Sequence, residues 1–182
     1  MKYINVPGLY NSGPEHWQTK WEETYPTDFI RVQQDNWNSA TKEKWVHNLQ
    51  AAIATVKEPM ILIGHSLGAI TIRHWLEEFK NPLIRAVLLV APADVECTAL
   101  KAVSSFAPIP KSTIQVRGFV VASTNDPYVA IERTATWAAY WGSRFISVGN
   151  KGHINALSGI GYWEEGWNLL QELKKPELIS AG

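Results

Sequence analysis

Short apolar runs alternate along this chain with longer segments in which apolar residues recur at helical spacing. The runs predict buried β-strands near residues 3–6, 29–33, 60–63, 86–91, 118–122 and 144–148. The segments between and after them predict helices near residues 16–24, 41–57, 67–80, 128–141 and 163–174. The second helix has the clearest pattern, because Trp45, Leu49, Ile53 and Val56 fall on one of its faces.

The repetition of strand and helix predicts a mostly parallel six-stranded sheet with helices on both faces. The run at residues 86–90 supports this arrangement, because it is apolar throughout instead of alternating with polar residues. No internal repeat, low-complexity stretch or linker interrupts the pattern. The sequence therefore predicts one α/β domain that covers residues 1–182.

The segment Gly64-His65-Ser66-Leu67-Gly68 directly follows the apolar run at residues 60–63. A G-x-S-x-G pattern between a strand and a helix is typical of a nucleophile elbow, a sharp turn that exposes the serine Oγ. Glycines suit this turn because strand and helix approach closely where no Cβ intervenes. The alternative is a tight turn whose serine only caps the helix that follows.

Ligands of a doubly wound sheet bind at the carboxyl ends of the strands, where the strand order reverses. If strand two lies outside strand one and strand three lies on its other side, Ser66 faces the loop of residues 7–13. The backbone N–H groups of Leu67 and Leu9 are then the candidate oxyanion donors. Tyr10 in this loop and Trp37 beyond strand two are candidate substrate contacts. The loop lacks G-x-G-x-x-G and a P-loop lysine, which disfavours a nucleotide site.

A serine nucleophile needs a base and an acid that orients the base. Among five histidines, His153 follows the last predicted strand, whereas the side chain of His65 should point away from the pocket. Asp126 and Asp94 both follow predicted strands, and either could be only a helix cap. Asp126 is favoured because its strand lies next to the strand that leads to His153. The order Ser66, Asp126, His153 is that of the α/β-hydrolases.

With these residues placed, nearly the whole chain resembles the small serine hydrolases typified by retinoblastoma-binding protein nine, especially the bacterial members. The resemblance extends over blocks at both ends and in the middle of the chain: Val6-Pro7-Gly8, Asn11-Ser12-Gly13-Pro14, His16-Trp17-Gln18, Gln34-Asp35 with Trp37, Gly64-His65-Ser66-Leu67-Gly68, Ala91-Pro92, Asp94-Val95-Glu96, Ala122-Ser123, Asn125-Asp126-Pro127-Tyr128, Gly152-His153-Ile154-Asn155-Ala156 and Ser158-Gly159. It implies a compact α/β-hydrolase fold with Ser66 as nucleophile, His153 as base and Asp126 as acid. It also implies a cytosolic protein without metal or organic cofactor. The loop Gly8-Leu9-Tyr10-Asn11 departs from the run of glycines that some members carry.

Composition narrows the partners of this chain. Basic and acidic residues balance at 17 each, which argues against nucleic acid and anionic membranes as main partners. Cys97 is the only cysteine, so an intrachain disulfide is excluded. The first residues lack a signal-peptide core, and no apolar run approaches the length of about 20 residues that a membrane span needs. A cytoplasmic protein with a small-molecule substrate is the expectation.

The link between predicted strands four and five, about 20 residues long, is too short for a separate cap domain. We therefore expect a shallow, partly open site, without a large lid, that hydrolyses small or short-acyl esters. The alternative is a catalytically weak protein of the same fold that binds a protein partner through an aromatic surface. The nine tryptophans could supply that surface, although packing is the simpler role for each of them.

Overall fold

The computed structural model describes residues 1–97 and 99–175. Its centre is one six-stranded sheet in the order β2-β1-β3-β4-β5-β6. All five neighbouring pairs of strands are parallel, which confirms the predicted α/β sheet. The strands are β1 at Lys2–Val6, β2 at Phe29–Arg31, β3 at Met60–His65, β4 at Ile84–Val90, β5 at Arg117–Ala122 and β6 at Arg144–Ser147.

In residues 1–97 and 99–175, five α-helices connect or follow the strands. They are α1 at Trp17–Thr24, α2 at Lys42–Ala54, α3 at Leu67–Glu78, α4 at Ile131–Tyr140 and α5 at Glu164–Lys174. Two short 3₁₀ helices that the pattern did not predict lie at Lys101–Phe106 and Ala156–Ser158. Among the described residues, we find no helix with the length and apolar character that crossing a membrane requires.

Helix α4 begins later than the sequence pattern predicts. The prediction placed its start near residue 128, whereas the helix begins at Ile131. The backbone N–H of Tyr128 donates a hydrogen bond to the Asp126 carboxylate at 2.9 Å, which forms a local turn instead of a helical one. Tyr128 consequently belongs to the loop at the carboxyl end of β5.

The helices cover both faces of the sheet, and alternate residues of each central strand belong to different cores. Met60 and Leu62 of β3 pack with residues of α2, α3 and α4, whereas Ile61 and Ile63 pack with residues of α1 and α5. Because both faces of β3 and β4 are covered, residues 60–63 of β3 and 86–90 of β4 are all apolar. The strand order reverses between β1 and β3, and the crevice expected at that point opens at their carboxyl ends.

The backbone of helix α3 approaches the end of β1 very closely at Gly68. A Cβ atom on Gly68 would lie 2.0 Å from the carbonyl oxygen of Val6 and 2.6 Å from that of Pro7. Both neighbours are backbone atoms, so they cannot move aside by changing rotamer. The packing of α3 on the sheet therefore requires glycine at this position.

Two buried histidines pack between α1 and the end of β3. Their ring centroids lie 4.7 Å apart, and His16 Nδ1 caps α1 by accepting a hydrogen bond from the Gln18 backbone N–H at 3.2 Å. Burial, with a smaller effect of the Arg31 charge, lowers the pKa of His16 from 6.5 to about 3. Burial also lowers the pKa of His65 well below 6.5. Both side chains are therefore neutral in the folded protein at physiological pH.

The contact at Gly68 predicts that Gly68→Ala lowers the free energy of unfolding by about 1–3 kcal/mol, because α3 must move off the sheet to admit the methyl group. Urea denaturation followed by circular dichroism measures this change. Gly13→Ala is the matched control, since a Cβ there meets nothing within 4 Å. Equal stabilities of the two variants would contradict the packing argument.

The buried histidines predict a loss of stability in mild acid. The unfolded chain binds protons at these side chains below about pH 6.5, whereas the folded chain does not until a much lower pH. Lowering the pH from 7 to 5 should therefore cost up to about 2 kcal/mol of unfolding free energy for each histidine. Urea denaturation at the two pH values measures the loss.

His16→Asn tests this pH dependence, because asparagine keeps a capping oxygen for α1 but does not titrate. The variant should lose less stability than the wild type between the two pH values. His47→Asn is the control, since His47 is exposed on α2 and its replacement keeps both buried histidines. An unchanged pH dependence in His16→Asn would show that His16 does not contribute.

Candidate active site

Ser66 lies at the junction of β3 and α3 in a strained backbone conformation. Its φ is 54° and its ψ is −120°, a region that residues with a side chain rarely adopt. The Ser66 N–H donates to the Val90 carbonyl at 2.9 Å, and the Ser66 carbonyl accepts from the Ala93 N–H at 3.3 Å. The Ser66 side chain makes no capping bond to α3. The turn therefore presents Oγ away from the helix that it begins.

The Ser66, His153 and Asp126 side chains form one continuous chain of hydrogen bonds. Ser66 Oγ lies 2.9 Å from His153 Nε2, and His153 Nδ1 lies 2.8 Å from Asp126 Oδ2. The Asp126 side chain is only 2% exposed. A buried carboxylate at this distance holds the imidazole proton on Nδ1, which leaves Nε2 free to accept a proton from Ser66.

The loops that follow β5 and β6 are bonded to each other, and this fixes the distance between Asp126 and His153. Asn125 Oδ1 accepts a hydrogen bond from the Gly152 N–H at 2.8 Å. Ser123 Oγ donates to the Gly149 carbonyl at 2.9 Å and accepts from the Lys151 N–H at 2.8 Å. Because the two strands are parallel neighbours, both loops begin at the same edge of the sheet.

Two further side chains hold the backbone around His153. His65 Nε2 donates to the His153 carbonyl at 2.9 Å, and Trp17 Nε1 donates to the Ile154 carbonyl at 2.8 Å. His65 is itself among the residues that line the cleft with Ser66. Because a carbonyl oxygen can only accept, the contact with the His153 carbonyl places the single proton of the neutral His65 ring on Nε2.

Leu9 and Leu67 carry the two backbone N–H groups that the sequence predicts as oxyanion donors. Both residues line the cleft, and neither N–H donates a hydrogen bond within the described part of the chain. Gly8 brings the two segments together, because a Cβ there would lie 2.9 Å from Ser66 Cβ and 3.4 Å from the Leu67 nitrogen. Free donors beside a nucleophile can stabilise a developing negative charge.

The cleft has a volume of about 620 Å³, within the range of pockets that hold drug-sized molecules. Tyr10 lines the cleft with its side chain 63% exposed. Trp37 does not line it; its ring packs against Trp45 at 5.7 Å, and its carbonyl accepts the Tyr10 N–H at 2.8 Å.

Asp94, the other candidate acid, is engaged elsewhere. It lines the cleft, but its Oδ1 accepts hydrogen bonds from Arg133 Nη2 at 3.1 Å and from the Cys97 N–H at 3.1 Å. The Asp94 carboxylate thus holds the start of the link between β4 and β5 against α4. This ion pair explains why an aspartate at the end of β4 is buried without contact to His153.

The sequence pattern alone did not reveal three residues around the site. Trp17 was assigned no contact with the His153 loop, although its block His16-Trp17-Gln18 was part of the family resemblance. Tyr128 was placed in a helix, and Leu157 was not assigned to any element. In the structure, Tyr128 and Leu157 both line the cleft, whereas none of the tryptophans lies among the described lining residues.

Solved structures share this fold over nearly the whole chain. A protein from Pectobacterium atrosepticum described as a YdeN-like hydrolase is 36% identical, with a TM-score of 0.84 over 94% of this chain and 89% of that chain. The ydeN gene product of B. subtilis is 18% identical, with a TM-score of 0.75 over 96% of this chain and 99% of that chain. Mouse alpha/beta hydrolase domain-containing protein 10 is 16% identical, with a TM-score of 0.66 over 94% and 90%.

No curated protein matches the chain in sequence. A family model, described as serine hydrolase, matches residues 3–172. That match begins in β1 and ends within α5, so it includes every element that positions Ser66, Asp126 and His153. The chain belongs to the serine hydrolase family, with an α/β-hydrolase fold.

Proposed function

We propose that this protein hydrolyses small or short-acyl carboxylic esters through a Ser66–His153–Asp126 triad and an acyl-enzyme. The observation that carries the proposal is the unbroken hydrogen-bond chain of 2.9 Å and 2.8 Å from Ser66 Oγ through His153 to Asp126. The family match and the strained turn at Ser66 support the same chemistry.

In the first half of the reaction, Ser66 Oγ attacks the ester carbonyl carbon while His153 Nε2 takes the hydroxyl proton. The carbonyl oxygen becomes an anion, which the N–H groups of Leu9 and Leu67 stabilise; donors of this type contribute about 3 kcal/mol each. The bond from carbon to the alcohol oxygen then breaks, and His153 gives its proton to the leaving alcohol. An acyl-enzyme on Ser66 remains.

In the second half, a water molecule gives a proton to His153 Nε2 and attacks the acyl carbon. The new tetrahedral species collapses, Ser66 recovers the proton from His153, and the carboxylic acid leaves. Asp126 stabilises the imidazolium in both halves through its bond to Nδ1, without taking the proton itself. Every proton moves between protein groups, substrate and water, so the proposed mechanism uses no cofactor.

Short acyl groups are favoured because the link between β4 and β5 forms no separate lid. This segment contributes Ala93, Ala99 and Val103 to the cleft wall, and its described residues contain only one short 3₁₀ helix. The proposal includes a small-molecule substrate and, given the single Cys97, a cytoplasmic location. A kcat/KM that rises steadily from acetyl to long-chain acyl esters would contradict the acyl preference.

An activated nucleophile predicts that a fluorophosphonate labels the purified protein once, on Ser66. Intact-mass spectrometry should find one adduct on the wild type, none on Ser66→Ala, and labelling slowed by about 10²-fold or more on His153→Ala. Circular dichroism checks that both variants are folded. A folded wild type without an adduct would overturn the proposal and favour the alternative, a protein-binding module of the same fold.

The assignment of the acid predicts that Asp126→Asn lowers kcat for a short-acyl ester by about 10³–10⁴-fold. Asparagine keeps the shape of the side chain but favours the imidazole tautomer with its proton on Nε2, which cannot accept the Ser66 proton. Asp94→Asn is the comparison, because it removes the charge from the ion pair with Arg133 and leaves the Asp126–His153 bond intact. Loss of kcat in Asp94→Asn with retained kcat in Asp126→Asn would transfer the acid role to Asp94.

A further inference from the structure

Exposed apolar side chains surround the mouth of the cleft. The described part of the chain exposes seven large hydrophobic residues, and four of them, Tyr10, Leu100, Tyr128 and Leu157, line this one cleft. An exposed apolar patch that continues into a pocket is typical of a ligand-binding surface. The mouth of the cleft is therefore a region that an apolar part of the substrate can cover.

The proposed mechanism determines on which side of the cleft the alcohol portion of the ester lies and on which side its carbonyl oxygen lies. His153 Nε2 gives its proton to the oxygen of the leaving alcohol, so this oxygen must lie next to His153. The carbonyl oxygen lies instead toward the N–H groups of Leu9 and Leu67. The alcohol portion thus leaves Ser66 along the side of the cleft that His153 and its neighbouring loops form.

Tyr128 and Leu157 occupy the surface on this side. The Tyr128 and His153 rings pack edge to face with their centroids 4.7 Å apart, while 62% of Tyr128 is exposed. Leu157 is 92% exposed in the 3₁₀ helix at Ala156–Ser158. Asn155 and Ser158 cap this helix reciprocally, which holds Leu157 in a fixed position at the surface. An alcohol portion bound beside His153 would contact both side chains.

The cleft offers no positive charge for an anionic leaving group. Among its described lining residues, Asp94 is the only aspartate, glutamate, lysine or arginine. Arg133, which lies outside this lining, binds Asp94 and Glu96. A phosphate or carboxylate on the alcohol portion would therefore gain no cationic partner among these residues, whereas an apolar group would cover exposed apolar surface.

We infer that the substrate of the proposed esterase reaction carries its apolar bulk on the alcohol side, as a neutral alkyl or aryl group packed against Tyr128 and Leu157. This inference rests on the proposed function and names the class of its leaving group. Combined with a short acyl group, it makes neutral acetate-like esters of apolar alcohols the preferred substrates.

Pentyl acetate and methyl hexanoate test this inference directly. They are isomers that carry the same apolar chain on opposite sides of the ester, so total hydrophobicity cannot distinguish them. The wild type should hydrolyse pentyl acetate with a kcat/KM about tenfold higher than that for methyl hexanoate. The acetate ester of 5-hydroxypentanoic acid, which adds a carboxylate to the alcohol chain, should react about tenfold more slowly than pentyl acetate.

Variants at the mouth assign the preference to named side chains. Leu157→Ser should reduce the ratio of the two kcat/KM values by about threefold or more, and adding Tyr128→Ser should bring it close to one. The ratio cancels any loss of general activity, because both isomers use the same triad. Tyr140→Ser is the matched control, since Tyr140 is 46% exposed on α4 and lies outside the cleft lining.

An equal or reversed ranking of the isomers in the wild type would overturn the inference, as would a ratio that Leu157→Ser leaves unchanged. Turnover of neither isomer by a protein that a fluorophosphonate labels would overturn it as well. Absence of labelling would instead overturn the proposed function, on which the inference rests. The labelling experiment therefore distinguishes the two failures.

Discussion

Three backbone segments meet around Ser66 with no room for side-chain atoms between them. A Cβ on Gly64 would lie 2.7 Å from the Ala69 backbone, and one on Gly68 would lie 2.0 Å from the Val6 carbonyl. A Cβ on Gly8 would lie 2.9 Å from Ser66 Cβ. This close approach of β1, β3 and α3 holds Ser66 at its positive φ. Strain of that kind, which costs on the order of 1–3 kcal/mol, persists only where the surrounding packing allows no alternative.

The position of His153 depends on a second set of contacts, all of which involve the backbone of its loop. Ser123 and Asn125 bond the loop to the end of β5, His65 bonds it to the end of β3, and Trp17 bonds it to α1. Two consecutive residues of the elbow thus bond to His153: the His65 ring bonds to its carbonyl, and the Ser66 hydroxyl bonds to its ring. The neutral state of His65 matters here, because a second buried cation would oppose the imidazolium that the proposed reaction forms on His153.

The walls of the cleft come from short loops instead of a separate lid. The link between β4 and β5 is held to α4 by the Asp94–Arg133 ion pair, and its 3₁₀ helix packs Phe106 against Trp45. The loop of residues 7–13, which follows β1, is held by Arg31, whose guanidinium donates a hydrogen bond to the Ser12 carbonyl at 2.9 Å. A small chain can therefore enclose a cleft of about 620 Å³ because each wall is bonded to the sheet or its helices. Such walls leave the mouth open and apolar, which is the basis of our inference about the leaving alcohol.

The sequence by itself determined the sheet, the order of its elements and the candidate nucleophile, because each of these depends on local pattern. Burial on both faces makes residues 60–63 of β3 and 86–90 of β4 apolar, and the elbow around Ser66 requires glycines at fixed spacing. Asp126 and His153 were also favoured as acid and base from the sequence, because each lies in a loop that follows one of two neighbouring strands. Element boundaries were less certain, since the Asp126 turn, and not helical periodicity, sets the start of α4.

Only the tertiary structure decided the contacts that join distant parts of the chain. The hydrogen bond from His65 to the His153 carbonyl spans 88 residues, and no local pattern records it. Trp37 packs on Trp45 instead of facing the substrate, because an apolar ring gains more from the core than from the cleft mouth. Exposed Tyr128 and Leu157 carry no periodicity, so their place beside His153 follows only from how the loops after β5 and β6 meet.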